Sequence, residues 1–415
     1  MPIAGDGRAK VAAEQAARQS YGKLVAYLAA RTRDLAGAED ALGDAFAAAL
    51  VDWPKTGIPA KPEAWLLTVA RRRIIDAARR TKTADAASDD LQMIAAEVGE
   101  RDEKDIPDQR LRLMFACAHP AIDPQIRAPL MLQTVLGFDA ATIASAFLIS
   151  PATMAQRLVR AKTRIRHAGI PFAIPERPDL PERLDAVLEA VYASYAEGWV
   201  DPMGAEMRRR GLSGEGIWLG RLLVLLMPEE PEALGLLALM LFAEARRSAR
   251  RTAGGAYVPL AAQDIALWDA AMIEEAEALL RKASLAGMIG RYQIEAAIQS
   301  AHVAGRRRET IDWNAIEMLY EMLVSLTGSP VAALNHAVAA AEARGAPAGL
   351  ALLDNISGDR RFVDYQPYWA ARAELLRRTG DSAGAHAAYS RAIGLESDAA
   401  IRAFLQERLA SLTGK

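Results

Sequence analysis

One segment of the chain concentrates side chains that could form hydrogen bonds with the edges of DNA bases. Within residues 139–168, a predicted helix carries a polar stripe beside an apolar one. An arginine can donate two hydrogen bonds to guanine and a glutamine can pair with adenine, while additional cations can contact phosphate. The residues of this polar stripe are Thr153, Gln156, Arg157, Arg160 and Arg164.

Two short helices joined by a tight turn are needed to position this stripe. Asp139 is a suitable cap for the first helix, and Ser150 followed by Pro151 is a favourable start for the second. A buried side on the second helix is predicted from apolar residues that recur at helical spacing. These residues are Met154, Leu158, Ala161 and Ile165. The pattern predicts a helix-turn-helix that binds DNA, and the alternative is a solvated face on an ordinary helical hairpin.

A second basic segment begins at Pro62, a residue that is well tolerated at a helix start. Trp65 and Thr68 lie at the front of this predicted helix, and a dense run of arginines follows. Basic residues interleaved with an aromatic side chain fit single-stranded or melted nucleic acid, which offers phosphates and stacking faces together. The alternative is that Trp65 belongs to the core.

The helices before this segment offer a candidate partner surface and an apolar side. Asp40, Asp44 and Phe46 combine acidic groups with an aromatic ring that could be exposed. The acidic residues could equally serve only to favour a helix N-terminus.

The helix expected before them, at 11–36, has an apolar side predicted to point inward. That side contains Val11, Tyr21, Leu24, Val25 and Leu28.

The whole chain has the composition of an all-α protein. Alanine and leucine are abundant, and no stretch shows the alternating pattern of a β-strand, so we expect only helices. The length of 415 residues predicts two to four domains. The net charge of -2 hides basic clusters at 71–82 and 157–166 and an acidic stretch at 85–108, so the total does not argue against nucleic acid. No signal core or membrane-length apolar run occurs, and we expect a cytoplasmic protein that does not enter a membrane.

The sequence contains no convincing catalytic or metal-binding group. Cys117, the single cysteine, excludes an internal disulfide. Together with His119 it lacks both the further ligands of a zinc site and an orienting third group for nucleophilic catalysis. We therefore interpret this segment as structural and expect neither a cofactor nor an enzymatic activity.

Three segments of the chain together resemble an RNA polymerase sigma factor of the extracytoplasmic-function type, within the sigma-70 family. They are AEDALGDAFAAAL at 38–50, WLLTVARRRIIDAARR at 65–80 and SPATMAQRLVRAKTRIR at 150–166. DQRLRLMFACAHPAI at 108–122 and the long C-terminal tail resemble a subgroup that carries a tetratricopeptide-like helical extension. The resemblance implies sigma domain 2 at 8–82 and sigma domain 4 at 108–170. The polar, acidic composition of residues 83–107 predicts a linker between them, with a weak helix at 91–98.

The resemblance also assigns partners to particular residues. It implies that Asp40, Asp44 and Phe46 contact the β′ clamp helices of core RNA polymerase, and that the polymerase β flap is a further contact. Promoter DNA would be melted at the minus-ten element by the helix at 65–80, and the minus-thirty-five element would be bound by the polar stripe described above. The minus-ten residues would be Trp65, Thr68, Arg71, Arg72, Arg73, Asp76, Arg79 and Arg80.

Four positions depart from the pattern of this family. Gly43 and Asp44 stand where glutamine and glutamate are usual, which puts the strength of polymerase docking in doubt. Arg72 stands where asparagine is common, and Ala118 replaces one of two adjacent cysteines.

The remainder of the chain is predicted to be helical as well. A helical extension domain is expected at 182–283, and its loop RRTAGGAYVPLAAQD lies where the subgroup carries an Asp-Gly-Gly-Arg-like motif. Tetratricopeptide-like repeats are expected at 285–415, with Gly380 at an inter-helix turn. Such an array could bind a peptide or protein on its concave surface, or it could only pack onto the sigma domains.

These observations predict a sigma factor whose C-terminal extension regulates its activity. One alternative is a helix-turn-helix regulator that binds duplex DNA without binding polymerase. The other alternative is a scaffold that acts through its helical repeats.

Overall fold

The computed structural model describes residues 3–81, 109–147, 149–173, 175, 179–200, 212–308 and 310–413. The predicted all-α class is confirmed: in this described part the only extended pairing is a single bridge between Arg251 and Tyr257. The contacts form two compact units, residues 1–196 and 197–415. This division is coarser than the five predicted segments, which remain a prediction. The predicted acidic linker at 83–107, with its weak helix at 91–98, lies outside the described residues.

The first unit is built from helices α1 to α8. Their bounds are Ile3–Thr32 (α1), Leu35–Thr56 (α2), Pro62–Thr81 (α3), Arg110–Cys117 (α4), Pro124–Thr134 (α5), Ala140–Ala146 (α6), Pro151–His167 (α7) and Leu180–Val200 (α8), which continues past the unit boundary. Helices α1, α2 and α3 pack on one another. Leu28, Leu42, Trp53 and Leu66 are buried in this three-helix core.

The inward side of α1 differs in part from the prediction. Val11 was expected to point inward, and this was wrong, because its side chain is 62% exposed. The buried positions at this end of α1 are Ala9, Ala13 and Ala16, which lie on the opposite side of the helix from Val11. Close packing against alanines therefore determines which side of α1 faces the core, rather than the size of the apolar side chain.

The second unit is built from helices α9 to α18. Their bounds are Leu212–Leu226 (α9), Pro231–Glu244 (α10), Ala270–Ser284 (α11), Arg291–Arg307 (α12), Trp313–Thr327 (α13), Pro330–Arg344 (α14), Ala346–Ile356 (α15), Gln366–Thr379 (α16), Ser382–Leu395 (α17) and Ala399–Thr413 (α18). Helix α10 is buried on all sides from Pro231 to Phe242. It packs against α9, α11 and α12, and a helix that is apolar all round belongs in such a position.

The loop that carries Gly254 and Gly255 is fixed by contacts within this unit. Arg251, at the start of the loop, forms an ion pair with Asp398 at the N-terminal end of α18. The ring of Tyr257 packs edge-on against Phe404 at 5.4 Å between centroids. These contacts tie the loop to the last helix of the chain.

The C-terminal helices form a series of neighbouring cores. The first core takes its residues from α12, α13 and α14, and the second takes them from α14, α15 and α16. The third core joins α16, α17 and α18. Adjacent cores therefore share one helix, which is the nearest-neighbour packing of a stacked helical array. Gly380 ends α16 in the left-handed conformation (φ 86°), as its predicted position at a turn requires.

Gly349 allows α15 to approach both of its neighbours closely. A Cβ at this position would lie 2.6 Å from the carbonyl oxygen of Ala337 on α14 and 2.9 Å from Leu375 Cδ1 on α16. We expect Gly349→Ala to destabilise this part of the stack by about 1–3 kcal/mol, because backbone has to move to admit the methyl group. Faster hydrogen–deuterium exchange in peptides from residues 330–356 is the measurement.

The matched control for this substitution is Gly394→Ala in α17, where an added Cβ meets no atom within 4 Å. The control should leave exchange in residues 330–356 unchanged, since alanine favours a helix and nothing has to move. Equal exchange in the two variants would show that Gly349 is not needed for close packing.

Candidate nucleic-acid interface

Helices α6 and α7 each begin at the capping residues expected from the sequence. Asp139 accepts a hydrogen bond from the Thr142 backbone N–H at 2.7 Å, and the Ser150 hydroxyl accepts one from the Thr153 N–H at 3.2 Å. Pro151 occupies the first turn of α7, where its missing N–H costs nothing. The predicted apolar stripe of α7 is confirmed. Its buried residues are Met154, Leu158, Ala161 and Ile165.

The polar stripe of α7 faces solvent. Thr153, Gln156, Arg157, Arg160 and Arg164 are all exposed. None of these arginines forms an ion pair with another residue in the described part of the chain. The packing of α7 thus leaves a row of hydrogen-bond donors and cations available to a partner.

Ser150 should control the stability of α7. In Ser150→Ala the N–H of Thr153 loses its hydroxyl acceptor, and we expect a cost of about 0.5–2 kcal/mol to the helix. Ser150→Asn should restore most of this stability, because asparagine is an equally good N-cap. Hydrogen exchange in residues 151–167 measures both effects. If the alanine and asparagine variants exchange alike, the side-chain cap does not stabilise the helix.

Helix α3 presents part of its predicted interface to solvent. Thr68, Arg72, Arg73 and Asp76 are exposed, whereas Arg71 is half-buried and donates a hydrogen bond to the Tyr27 hydroxyl at 2.7 Å. The side chains of Arg79 and Arg80 lie outside the described residues, although both positions belong to α3.

Trp65 occupies a position between the two predicted alternatives. Its side chain is half-buried, and its ring meets the buried Trp53 edge-to-face at 5.5 Å between centroids. One part of the indole therefore belongs to the core of the three-helix bundle, and the other part reaches the surface. This geometry leaves an aromatic edge beside the exposed residues of α3.

Helix α2 places Phe46 on a different side from the two acidic residues that were predicted to share its surface. Asp40 and Asp44 are exposed, and their spacing of four residues places them on one face of the helix. Leu50 and Val51 are exposed farther along α2. Phe46 is half-buried and follows Asp44 by two residues, so it lies on a different side of the helix. The structure therefore brings Asp40 and Asp44 together but not Phe46.

Glu39 has an environment that was not predicted. Its carboxylate lies 2.6 Å from Lys162 Nζ on α7, and the two side chains are only 12% and 16% exposed. Burial raises the pKa of Glu39, and Lys162 opposes that change. A contact between α2 and α7 has no local sequence signal, since the two residues are far apart in the chain.

Cys117 has the properties of a structural thiol. It is fully buried and lies 3.7 Å from the Thr134 hydroxyl. Burial raises the pKa of the thiol to about 12, so almost none of it is the reactive thiolate near neutral pH. Among the described residues, no group of three or more His, Cys, Asp or Glu side chains is arranged to hold a metal ion.

No helix in the ranges that the structure describes combines the length and the apolar character required to span a membrane.

Comparison with known proteins gives three results. Residues 17–83, which include the second half of α1 and all of α2 and α3, match sigma-70 region 2. Residues 183–284 match a family of unknown function, DUF6596. The chain is 39% identical to an uncharacterized protein of Rhizobium meliloti over 403 residues, which is 96% of this chain and 94% of that protein. No solved structure gives a significant match.

Proposed function

We propose that this chain, whose residues 17–83 match sigma-70 region 2, is a sigma factor of the extracytoplasmic-function type. Such a factor is a dissociable subunit that directs core RNA polymerase to particular promoters and performs no covalent chemistry. The observation that carries the proposal is the match of region 2 to α1, α2 and α3, in a chain whose α7 exposes a second set of DNA-binding side chains.

Each helix of the candidate interface has a separate task in this proposal. Asp40 and Asp44 on α2 contact the β′ clamp helices of core polymerase. The exposed side of α3 binds unpaired bases of the minus-ten element, and α7 binds the minus-thirty-five element as the DNA-binding helix of a helix-turn-helix. Opening of the duplex then follows from the binding free energy of unstacked bases.

The helical extension is proposed to regulate this activity. The support is its fusion to the sigma regions in one chain, together with a stack of helices of the kind that binds peptides and proteins. Gly349→Ala, which disturbs the stack, should change transcription by this protein, whereas Gly394→Ala should not. Identical transcription with both variants would argue against regulation by the stack.

Run-off transcription with purified core polymerase tests the proposed function. Genomic fragments from the source organism are transcribed with and without the full chain. Transcripts that begin at discrete sites only when the protein is present would support the proposal. Absence of stimulation, combined with absence of binding to core polymerase, would overturn it.

A regulator that binds duplex DNA by itself is the second candidate. It is favoured by the exposed polar stripe of α7, which is accessible without any polymerase. A gel-shift experiment with the isolated protein distinguishes the two candidates. Tight and sequence-specific binding to a promoter fragment indicates the regulator, whereas a sigma factor should bind that fragment well only together with core polymerase.

A further inference from the structure

The connection between α10 and α11, residues 245–269, packs along one side of α12. Arg246 donates a hydrogen bond to the side-chain carbonyl of Gln299 on that helix. Two helical turns farther along α12, Arg306 donates one to the backbone carbonyl of Gln263 at 2.8 Å. Both contacts therefore lie on the same side of α12, about 10 Å apart along its axis. We call the side of α12 between these two contacts the α12 strip.

Four buried polar atoms around the α12 strip have no hydrogen-bond partner in the ranges that the structure describes. Trp268 Nε1 and Gln263 Oε1 come from the connection, and His302 Nδ1 and Arg306 Nε come from α12. Trp268 is 7% exposed and Gln263 is 6% exposed, so both side chains are almost completely enclosed. Buried polar atoms in proteins nearly always have a partner, because leaving one unpaired is costly. Their concentration beside one strip indicates a group that binds between the connection and α12.

Trp268 and His302 both lie near the guanidinium of Arg246. The Cζ atom of Arg246 is 6.0 Å from the centroid of the Trp268 ring. Burial and the charge of Arg246 lower the pKa of His302 to about 4, so its imidazole is neutral near pH 7. A neutral imidazole can donate or accept at Nδ1, depending on its tautomer. Arg306 lies one helical turn beyond His302, so the unpartnered atoms are spread over the length of a small molecule.

The charges around the α12 strip favour an anion. Arg306 forms no ion pair with any residue that the structure describes. Arg246 donates hydrogen bonds to two neutral groups, a backbone carbonyl and the side chain of Gln299. Glu295, one turn before Gln299, is paired with Arg291 at 2.8 Å. Two guanidinium groups therefore border the strip, and the Glu295 carboxylate is already paired with another cation.

The unpartnered atoms define the hydrogen bonds that such an anion would form. The indole Nε1 of Trp268 and the guanidinium Nε of Arg306 can only donate, so they require acceptor oxygens. Carboxylate and phosphate oxygens form the strongest hydrogen bonds with these donors. The Oε1 atom of Gln263 can only accept, and the amide nitrogen of the same side chain donates to the carbonyl of Val258 at 3.4 Å. The ligand therefore needs a hydroxyl group as well as an anionic group.

The connection is the part of the site that has to move when a ligand enters. Its regular structure consists of three short 3-10 turns and the bridge between Arg251 and Tyr257. The turns are Arg247–Arg250, Leu260–Ala262 and Ile265–Leu267. Segments with few backbone hydrogen bonds open locally at a lower free energy than core helices do. Local opening of the connection would admit a small molecule to the strip but not a macromolecule.

We propose that the α12 strip binds a small anion that carries a carboxylate or phosphate group together with a hydroxyl group. The anionic oxygens accept hydrogen bonds from Trp268 Nε1 and Arg306 Nε, and the hydroxyl donates to Gln263 Oε1. Binding at this site would not require the sigma function, because every residue involved belongs to the second unit. The site gives the second unit a ligand of its own, in addition to any protein or peptide that the helical stack binds.

Hydrogen–deuterium exchange of the full chain, titrated with an anion, tests this site. The two probes are sodium phosphate and sodium glycolate, and sodium chloride keeps the ionic strength constant. Exchange in peptides from residues 245–269 should slow as the anion is added and then reach a plateau, because a ligand that binds only the closed connection suppresses its opening. A lower half-saturating concentration for phosphate indicates a phosphate ligand, and a lower one for glycolate indicates a hydroxy acid.

Trp268→Phe and Arg306→Met each remove one donor and keep most of the apolar surface of the side chain. We expect each substitution to raise the half-saturating concentration about tenfold or more, because a hydrogen bond to a charged group is lost. Arg307→Met is the matched control, since Arg307 is exposed and adjacent residues of a helix point in different directions. This control removes the same charge from α12 and should leave the half-saturating concentration unchanged.

Two results would overturn the inference. Absence of a plateau with both anions would indicate that ordered water is sufficient for the four unpartnered atoms. A plateau that Trp268→Phe and Arg306→Met leave unchanged would place the anion elsewhere on the protein. If circular dichroism shows that Trp268→Phe does not fold, Arg306→Met alone decides, because the Arg306 side chain is only half-buried.

Discussion

Reversing the charge of Asp40 and Asp44 together is expected to abolish the stimulation of transcription by this protein. Both carboxylates are exposed on one face of α2, and Asp44 forms an exposed ion pair with Arg73 of α3 at 3.9 Å. In Asp40→Lys with Asp44→Lys, like charges would face each other across the interface. We expect the affinity for core polymerase to fall by about 30-fold or more, because such juxtaposition costs several kcal/mol. Fluorescence anisotropy with labelled protein gives the dissociation constant.

Asp52→Lys is the matched control for this experiment. Asp52 is another exposed acid on α2, two turns beyond Asp44, and it has no proposed partner. This variant changes the net charge of the same helix, so it separates a specific contact from general electrostatic attraction. A loss of affinity as large as that of the double variant would mean that α2 attracts polymerase only through its total charge.

Local sequence patterns were sufficient to predict the elements that carry the candidate site. The caps of α6 and α7 depend on Asp139, Ser150 and Pro151, and each of them acts within three residues of its position. The buried stripe of α7 follows from helical periodicity alone. Features of this kind can be recognised because the sequence and the interaction lie within one or two turns of the chain.

Long-range packing could not be predicted in the same way. Gly22 could be seen as a glycine inside a predicted helix, but only the structure shows that a Cβ there would lie 1.6 Å from the carbonyl oxygen of Val135. Glu39 and Lys162 lie more than a hundred residues apart, and each resembles an ordinary surface charge in its own helix. Val11 shows the related error of ranking apolar residues by size, whereas the three-helix bundle selects alanines at its closest approach. The sequence therefore predicted the separate helices better than the contacts between them.

The two ends of α7 should respond differently to the loss of an arginine. Residues in the first turns of such a helix contact base edges, so Arg157→Ala should remove discrimination at one base pair of the minus-thirty-five element. The expected loss is about 5-fold to 150-fold on the preferred promoter and little on a promoter that is already substituted at that base pair. Arg164 lies in the last turn of the helix, where the proposed docking would put it beside the phosphate backbone. Arg164→Ala should weaken all promoters about equally and reduce the salt dependence by roughly one unit of slope.

Run-off transcription at several salt concentrations, on promoters substituted one base pair at a time, measures both effects. Val159→Ala is the control on the same helix, because Val159 is exposed on the side away from the polar stripe. It should leave both specificity and salt dependence unchanged. If Arg157→Ala weakens every promoter by the same factor, Arg157 contacts phosphate rather than a base. In that case the sequence preference of α7 must come from Thr153, Gln156 and Arg160, the exposed side chains of the same stripe that remain once Arg157 and Arg164 are assigned to phosphate.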